Sequence, residues 1–185
     1  TSVGQIWKYK ALSSFMPLPL DKNFITESCF ALLSVEKPKI PERIHKAAEE
    51  RGLVEKSEVH ISVMVTTNAR KIREITSKNE NPQKLKEEIE GLFSNFNWEH
   101  TPTDNYFLQE HFYNREELDE AEHSDIPEHT RRTIVQKVEM PDTTLFYEQL
   151  SQMLNMRFDV PVPHITLFSW SDYAPLMMRG VGISS

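Results

Sequence analysis

Apolar and polar positions change period several times along this chain, and the changes mark out its elements. Phe30–Val35 is a continuous apolar run, which predicts a strand buried on both faces. From Pro41 to Arg51 the period is helical: Ile44, Ala47 and Ala48 share one face, Pro41 suits a first helical position and Gly52 a stop. Val59–Val65 reads as a strand. A short helix over Ala69–Ser77, capped by Asn68, comes next. Another helix starts with Asn81 as cap and Pro82 as opener, and buries a stripe of Leu85, Ile89, Leu92 and Phe93. Asn105–Tyr113 is rich in aromatics and reads as extended, and Glu116–Glu128 as an acidic, solvated loop.

The second half runs through the same order. Thr133–Val138 is strand-like. Asp142 caps a helix whose inward stripe is Phe146, Leu150, Met153 and Leu154, and Val162–Ser169 is again strand-like. Strand, helix and strand therefore occur twice, which points to an internal duplication with little retained identity. The expected fold is α+β: one domain of two similar lobes, about residues 28–95 and 96–170, each an antiparallel sheet with outer helices, facing each other across a cleft, with strand exchange between the lobes left open.

Composition narrows the classes of function. The 185 residues are 38 % hydrophobic and 26 % charged, as in a soluble globular protein, and a length of this order suits one domain. The formal net charge of −7, with no basic stripe, argues against a long duplex as partner and favours a small nucleotide or a short RNA end. Cys29 is the single cysteine and sits in an apolar run, so a buried thiol in a reducing, cytoplasmic compartment is expected. Lys8 and Lys10 precede the stretch Ala11–Leu20, but Pro17 and Pro19 interrupt it and no small-residue cleavage site follows. No run of the sequence has the length of a membrane-spanning helix, so no membrane association is expected. Oligomeric state leaves no mark in the sequence.

The chemistry concentrates at two short segments, Val59-His60-Ile61-Ser62-Val63 and Pro163-His164-Ile165-Thr166-Leu167. With seven histidines, about one His-x-Ser/Thr pair is expected by chance, so the spacing alone carries little. The matching setting carries more. Both segments hold isoleucine between the polar residues and an aliphatic residue after them, and both end a strand–helix–strand unit. None of His45, His100, His111, His123 and His129 is followed at that spacing by serine or threonine. In a strand, His60 and Ser62 point to one face while Val59, Ile61, Val63 and Val65 point to the other. Strict alternation likewise places His164, Thr166, Phe168 and Trp170 on one face, with Ile165 and Leu167 in the core.

On these motifs the sequence resembles the two-histidine (2H) phosphoesterase superfamily, which includes RNA 2′,3′-cyclic phosphodiesterases, the so-called 2′-5′ RNA ligases and 2′-5′ oligoadenylate phosphodiesterases. The similarity covers the order of elements from about Phe30 to Trp170. Ser62 stands where threonine is commoner in that superfamily, and the acidic stretch Glu116–Glu128 is longer than a minimal member needs. The resemblance implies hydrolysis of a 2′,3′-cyclic phosphate or a 2′-5′-linked nucleotide. In that chemistry one imidazole takes a proton from water and the other gives one to the departing ribose oxygen, a task for which histidine's near-neutral pKa is suited. The hydroxyls of Ser62 and Thr166 donate to the phosphate's non-bridging oxygens. His60, Ser62, His164 and Thr166 are thus the expected catalytic set, with no metal and no cofactor. Phe168, Trp170 and Tyr173 are expected to stack a nucleobase, and Arg131, Arg132, Arg157 and Arg179 are undifferentiated phosphate partners.

Three other readings stand beside this one. A metal site from His111, His123 and His129 matches no familiar ligand spacing. A non-catalytic module holding a nucleotide or RNA end would not need two opposed titratable groups. A serine or cysteine hydrolase lacks the Gly-x-Ser-x-Gly elbow.

Overall fold

The computed structural model describes residues 31–120 and 123–176. Phe30, Cys29, the Ala11–Leu20 stretch and Arg179 lie outside them. The elements are β1 (Ala31–Val35), α1 (Glu42–Glu50), β2 (Val54–Glu55), β3 (Val59–Met64), α2 (Thr66–Ser77), α3 (Pro82–Ser94), β4 (Thr101–Tyr113), α4 (Arg115–Glu120), β5 (His129–Glu139), α5 (Asp142–Leu154) and β6 (His164–Ser171), with a 3₁₀ turn at Ala174–Leu176.

Local chemistry explains most boundaries. Gly52 ends α1 with φ of 67°, a conformation that costs glycine little, and the Leu53 N–H closes the turn on Ala48 O at 2.9 Å. Asn81 caps α3 by accepting from the Lys84 N–H at 3.1 Å, and Pro82 follows at the first position. Asn68, expected as a cap, lies inside α2, which starts at Thr66; its side chain is buried and donates to Asp159 O at 2.7 Å. Asp142, also expected as a cap, accepts instead from the Trp98 N–H at 3.0 Å, tying α5 to the chain before β4. Met153, expected on the buried stripe of α5, is exposed, and Tyr147 is buried in its stead. Part of the expected acidic loop is the helix α4, whose Leu118 packs with Tyr113 and Ile126 in a small second cluster.

The architecture is α+β, with every strand pairing antiparallel. Separate sheets for two lobes are not what the described strands form. They join in one six-stranded sheet of order β1-β3-β6-β5-β4, with β2 also pairing β6. The physical reason is the position of β6: it pairs β5 along one edge and β2 and β3 along the other, so it stitches the two halves together. The β3–β6 seam is narrow, with Ile61 opposite Ile165 as its one registered pair. The strand expected to be buried on both faces, β1, lies at the sheet's edge, paired to β3, with Leu33 and Val35 in the core.

The main core lies on the sheet face that carries Ile61, Val63, Ile165 and Ile134. Ala48 of α1, Ile72 of α2, Phe93 of α3 and Phe146 of α5 pack into it. The opposite sheet face is polar, and it holds the histidines. Among the described residues no helix is long and apolar enough to cross a membrane.

Candidate functional site

Antiparallel pairing converts the sequence repeat into a site. With Ile61 opposite Ile165, the register sets His60 across from Thr166 and Ser62 across from His164. All four side chains stand on the face away from the two isoleucines, which are fully buried. Each imidazole therefore faces the hydroxyl of the other motif, at the roughly 4.5–5.5 Å between Cβ atoms usual for opposed residues.

The four residues differ in their satisfaction. His164 Nδ1 lies 2.9 Å from Val162 O. A carbonyl only accepts, so the neutral ring carries its proton on Nδ1 and presents Nε2 as a lone pair. His60 is 4 % exposed, and neither its Nδ1 nor the Ser62 hydroxyl has a hydrogen-bond partner. The Lys56 Nζ, on a residue 5 % exposed, is likewise buried and unpartnered. Buried polar atoms are ordinarily paired, so three such orphans on one face mark a place prepared for a polar ligand.

Electrostatics follow from this crowding of buried cationic groups. Burial first, then Lys56 and His164, push the His60 pKa down to about 3. Burial also lowers His164, opposed by its bond to Val162 O. Lys56 falls to about 8, through burial and then the nearby Arg131 guanidinium. At neutral pH both imidazoles are neutral and Lys56 is a buried cation. An anion entering here would favour the protonated form of whichever histidine it approaches.

Further along the same face, Arg131 of β5 is buried. Its Nε donates to His129 Nε2 at 3.0 Å, and its guanidinium lies 5.2 Å from the Tyr113 ring centre. Thr133, fully buried, lies opposite Ser169. Arg131, Thr133, Gln109, His111 and Tyr113 line an open groove of about 420 Å³.

The aromatic residues fall differently from strict alternation. The β5–β6 register slips between Ile134, opposite Phe168, and Val135, opposite Thr166. Leu167 is thus the extra residue of a β-bulge, and beyond it the faces exchange. Phe168 joins Leu167 in the core, 5.6 Å edge-on to His45. Trp170 packs against that core too, with the Arg132 guanidinium 4.6 Å from its ring centre. Neither ring faces the histidines; Ser169 takes that side instead. Tyr173 packs with the Tyr113 cluster and stands 6.2 Å from His129. Arg132 is paired with Glu110, and Arg157 is exposed.

Sequence reasoning missed Lys56 altogether. No sequence pattern marked it, because Ser57 and Glu58 form a bend between β2 and β3 and Lys56 is brought to the site by the pairing of its N–H with Leu167 O. His111 pairs with Glu117 at 2.9 Å, and His129 stacks on Tyr113 with its Nδ1 on Pro127 O. Among the described residues no group of three histidine, cysteine, aspartate or glutamate side chains is placed to hold a metal ion. No protein-family model, no curated protein and no solved structure matches this chain.

Proposed function

We propose that this protein hydrolyses a phosphodiester, a 2′,3′-cyclic phosphate or a 2′-5′-linked nucleotide or RNA end, by acid–base catalysis between His60 and His164. The observation that carries the reading is the cross-strand arrangement, each imidazole opposite the other motif's hydroxyl, with His60 Nδ1 and Ser62 Oγ buried and unpartnered. For the cyclic substrate, water attacks phosphorus in line with the departing ribose oxygen. One imidazole takes the water's proton as the new P–O bond forms. The other, protonated with the anionic substrate in place, gives its proton to the ribose oxygen as that P–O bond breaks. Ser62 and Thr166 donate to the non-bridging oxygens, where negative charge must be held. The near-symmetric placing of the two motifs lets either histidine take either role, and the roles exchange in the reverse reaction.

The test is a panel of 2′,3′-cyclic nucleotides and 2′-5′ dinucleotides, assayed in EDTA with wild type, His60→Ala and His164→Ala. Each substitution is expected to lose at least about 100-fold in turnover, the scale of one acid–base group. Retained activity in either variant refutes the mechanism.

A further inference from the structure

The positive charge on the polar face extends beyond the histidine pair. Lys56, whose N–H donates to Leu167 O at 2.9 Å, stands beside β6 one residue past Thr166. Arg131 stands opposite Ser171, five residues past Thr166. Because Leu167 is the bulged residue, on β5 this row runs from Val135, opposite Thr166, to Arg131, four residues or roughly 13 Å at about 3.3 Å per residue. A single phosphate reaches donors only within about 3 Å of its oxygens, so one anion cannot engage both ends.

Arg131 is also fixed toward the far end. Its bond to His129 and its contact with the Tyr113 ring fix the guanidinium at the groove. His129 Nδ1 is committed to Pro127 O, which leaves Nε2 to accept from Arg131. Of the carboxylates at the groove, Glu110, which lines it, is paired with Arg132, and Glu117 is engaged by His111 and by the Asn114 N–H. Between the two ends lies the Lys56 ammonium, buried and without a hydrogen-bond partner. A buried cation in that state needs an anion to be satisfied.

We infer that Lys56 and Arg131, with Thr133 and the groove beside them, form a second anion subsite. It takes a further phosphate of the substrate, so the substrate class is a nucleotide or short oligonucleotide with a phosphate beyond the reacting one. This rests on reading the histidine pair as the seat of the reacting phosphate.

The probes are adenosine 2′-phosphate and adenosine 2′,5′-bisphosphate, which differ by one phosphate and contain no phosphodiester. Calorimetric titration of the wild type is expected to show the bisphosphate binding at least about 10-fold tighter, the scale of one charge-assisted contact. In Lys56→Met and Arg131→Lys that ratio falls toward one. In His60→Gln both ligands weaken and the ratio survives. Equal affinities in the wild type, or a ratio unchanged in Lys56→Met, overturn the subsite. A Lys56-dependent ratio in a protein that turns over no phosphodiester supports the subsite while refuting the catalysis.

Discussion

Replacing Lys56 by methionine should make this protein more stable. The ammonium is buried without a partner, and its pKa falls from 10.5 to about 8, through burial and then Arg131. At about 1.36 kcal/mol per factor of ten in proton affinity, that fall corresponds to roughly 3 kcal/mol of strain in the folded state. The folded protein holds this proton less tightly than the unfolded chain does. The penalty is therefore full below about pH 8 and fades as pH rises from there toward 10.5. Methionine keeps an unbranched stem of similar length and removes the charge. Urea unfolding at pH 7 should show Lys56→Met more stable by about 2–3 kcal/mol, shrinking to about half of that near pH 9.5. A variant less stable than wild type at pH 7, or one whose advantage is the same at both pH values, would refute the reasoning. It would mean that the ammonium is satisfied as the protein stands.

Two further expectations test the site's surroundings. His60, held near 3 by burial and then by Lys56 and His164, must take up a proton on unfolding once the pH is below its ordinary 6.5. Stability is thus lost as pH falls through that window, and between pH 7 and pH 4 the wild type should lose about 3 kcal/mol more than His60→Gln; parallel urea-unfolding profiles would contradict this. Phe168→Ala should cost about 3–5 kcal/mol, as for a buried aromatic, with the KM for the proposed phosphodiester turnover by the folded protein unmoved. A raised KM with an unchanged thermal midpoint would return the ring to the substrate.

Much of the local structure was legible because its causes are local. Asn81-Pro82 opens α3 and Gly52 closes α1 by rules that involve a few neighbouring residues. Where a longer-range partner competed, the local reading failed. Asn68 and Asp142 have good capping chemistry, yet both are engaged by distant groups, Asp159 O and the Trp98 N–H. The two-residue β2 carries too little pattern to be seen, and it exists through its pairing with β6.

The candidate site divides along the same line. The sequence by itself determined which residues go together, His60 with Ser62 on one face of one strand and His164 with Thr166 on one face of another, because strand alternation needs only the chain's own geometry. The tertiary structure decided what those residues meet. Pairing Ile61 with Ile165 set each histidine opposite the other motif's hydroxyl. The bulge at Leu167 sent Phe168 and Trp170 to the core side, since one extra residue reverses every face beyond it. Burial beside Arg131 turned Lys56 from one surface-type lysine among many into an unpartnered cation. Register, bulges and desolvation arise between segments far apart in sequence, and so no stretch of the chain records them.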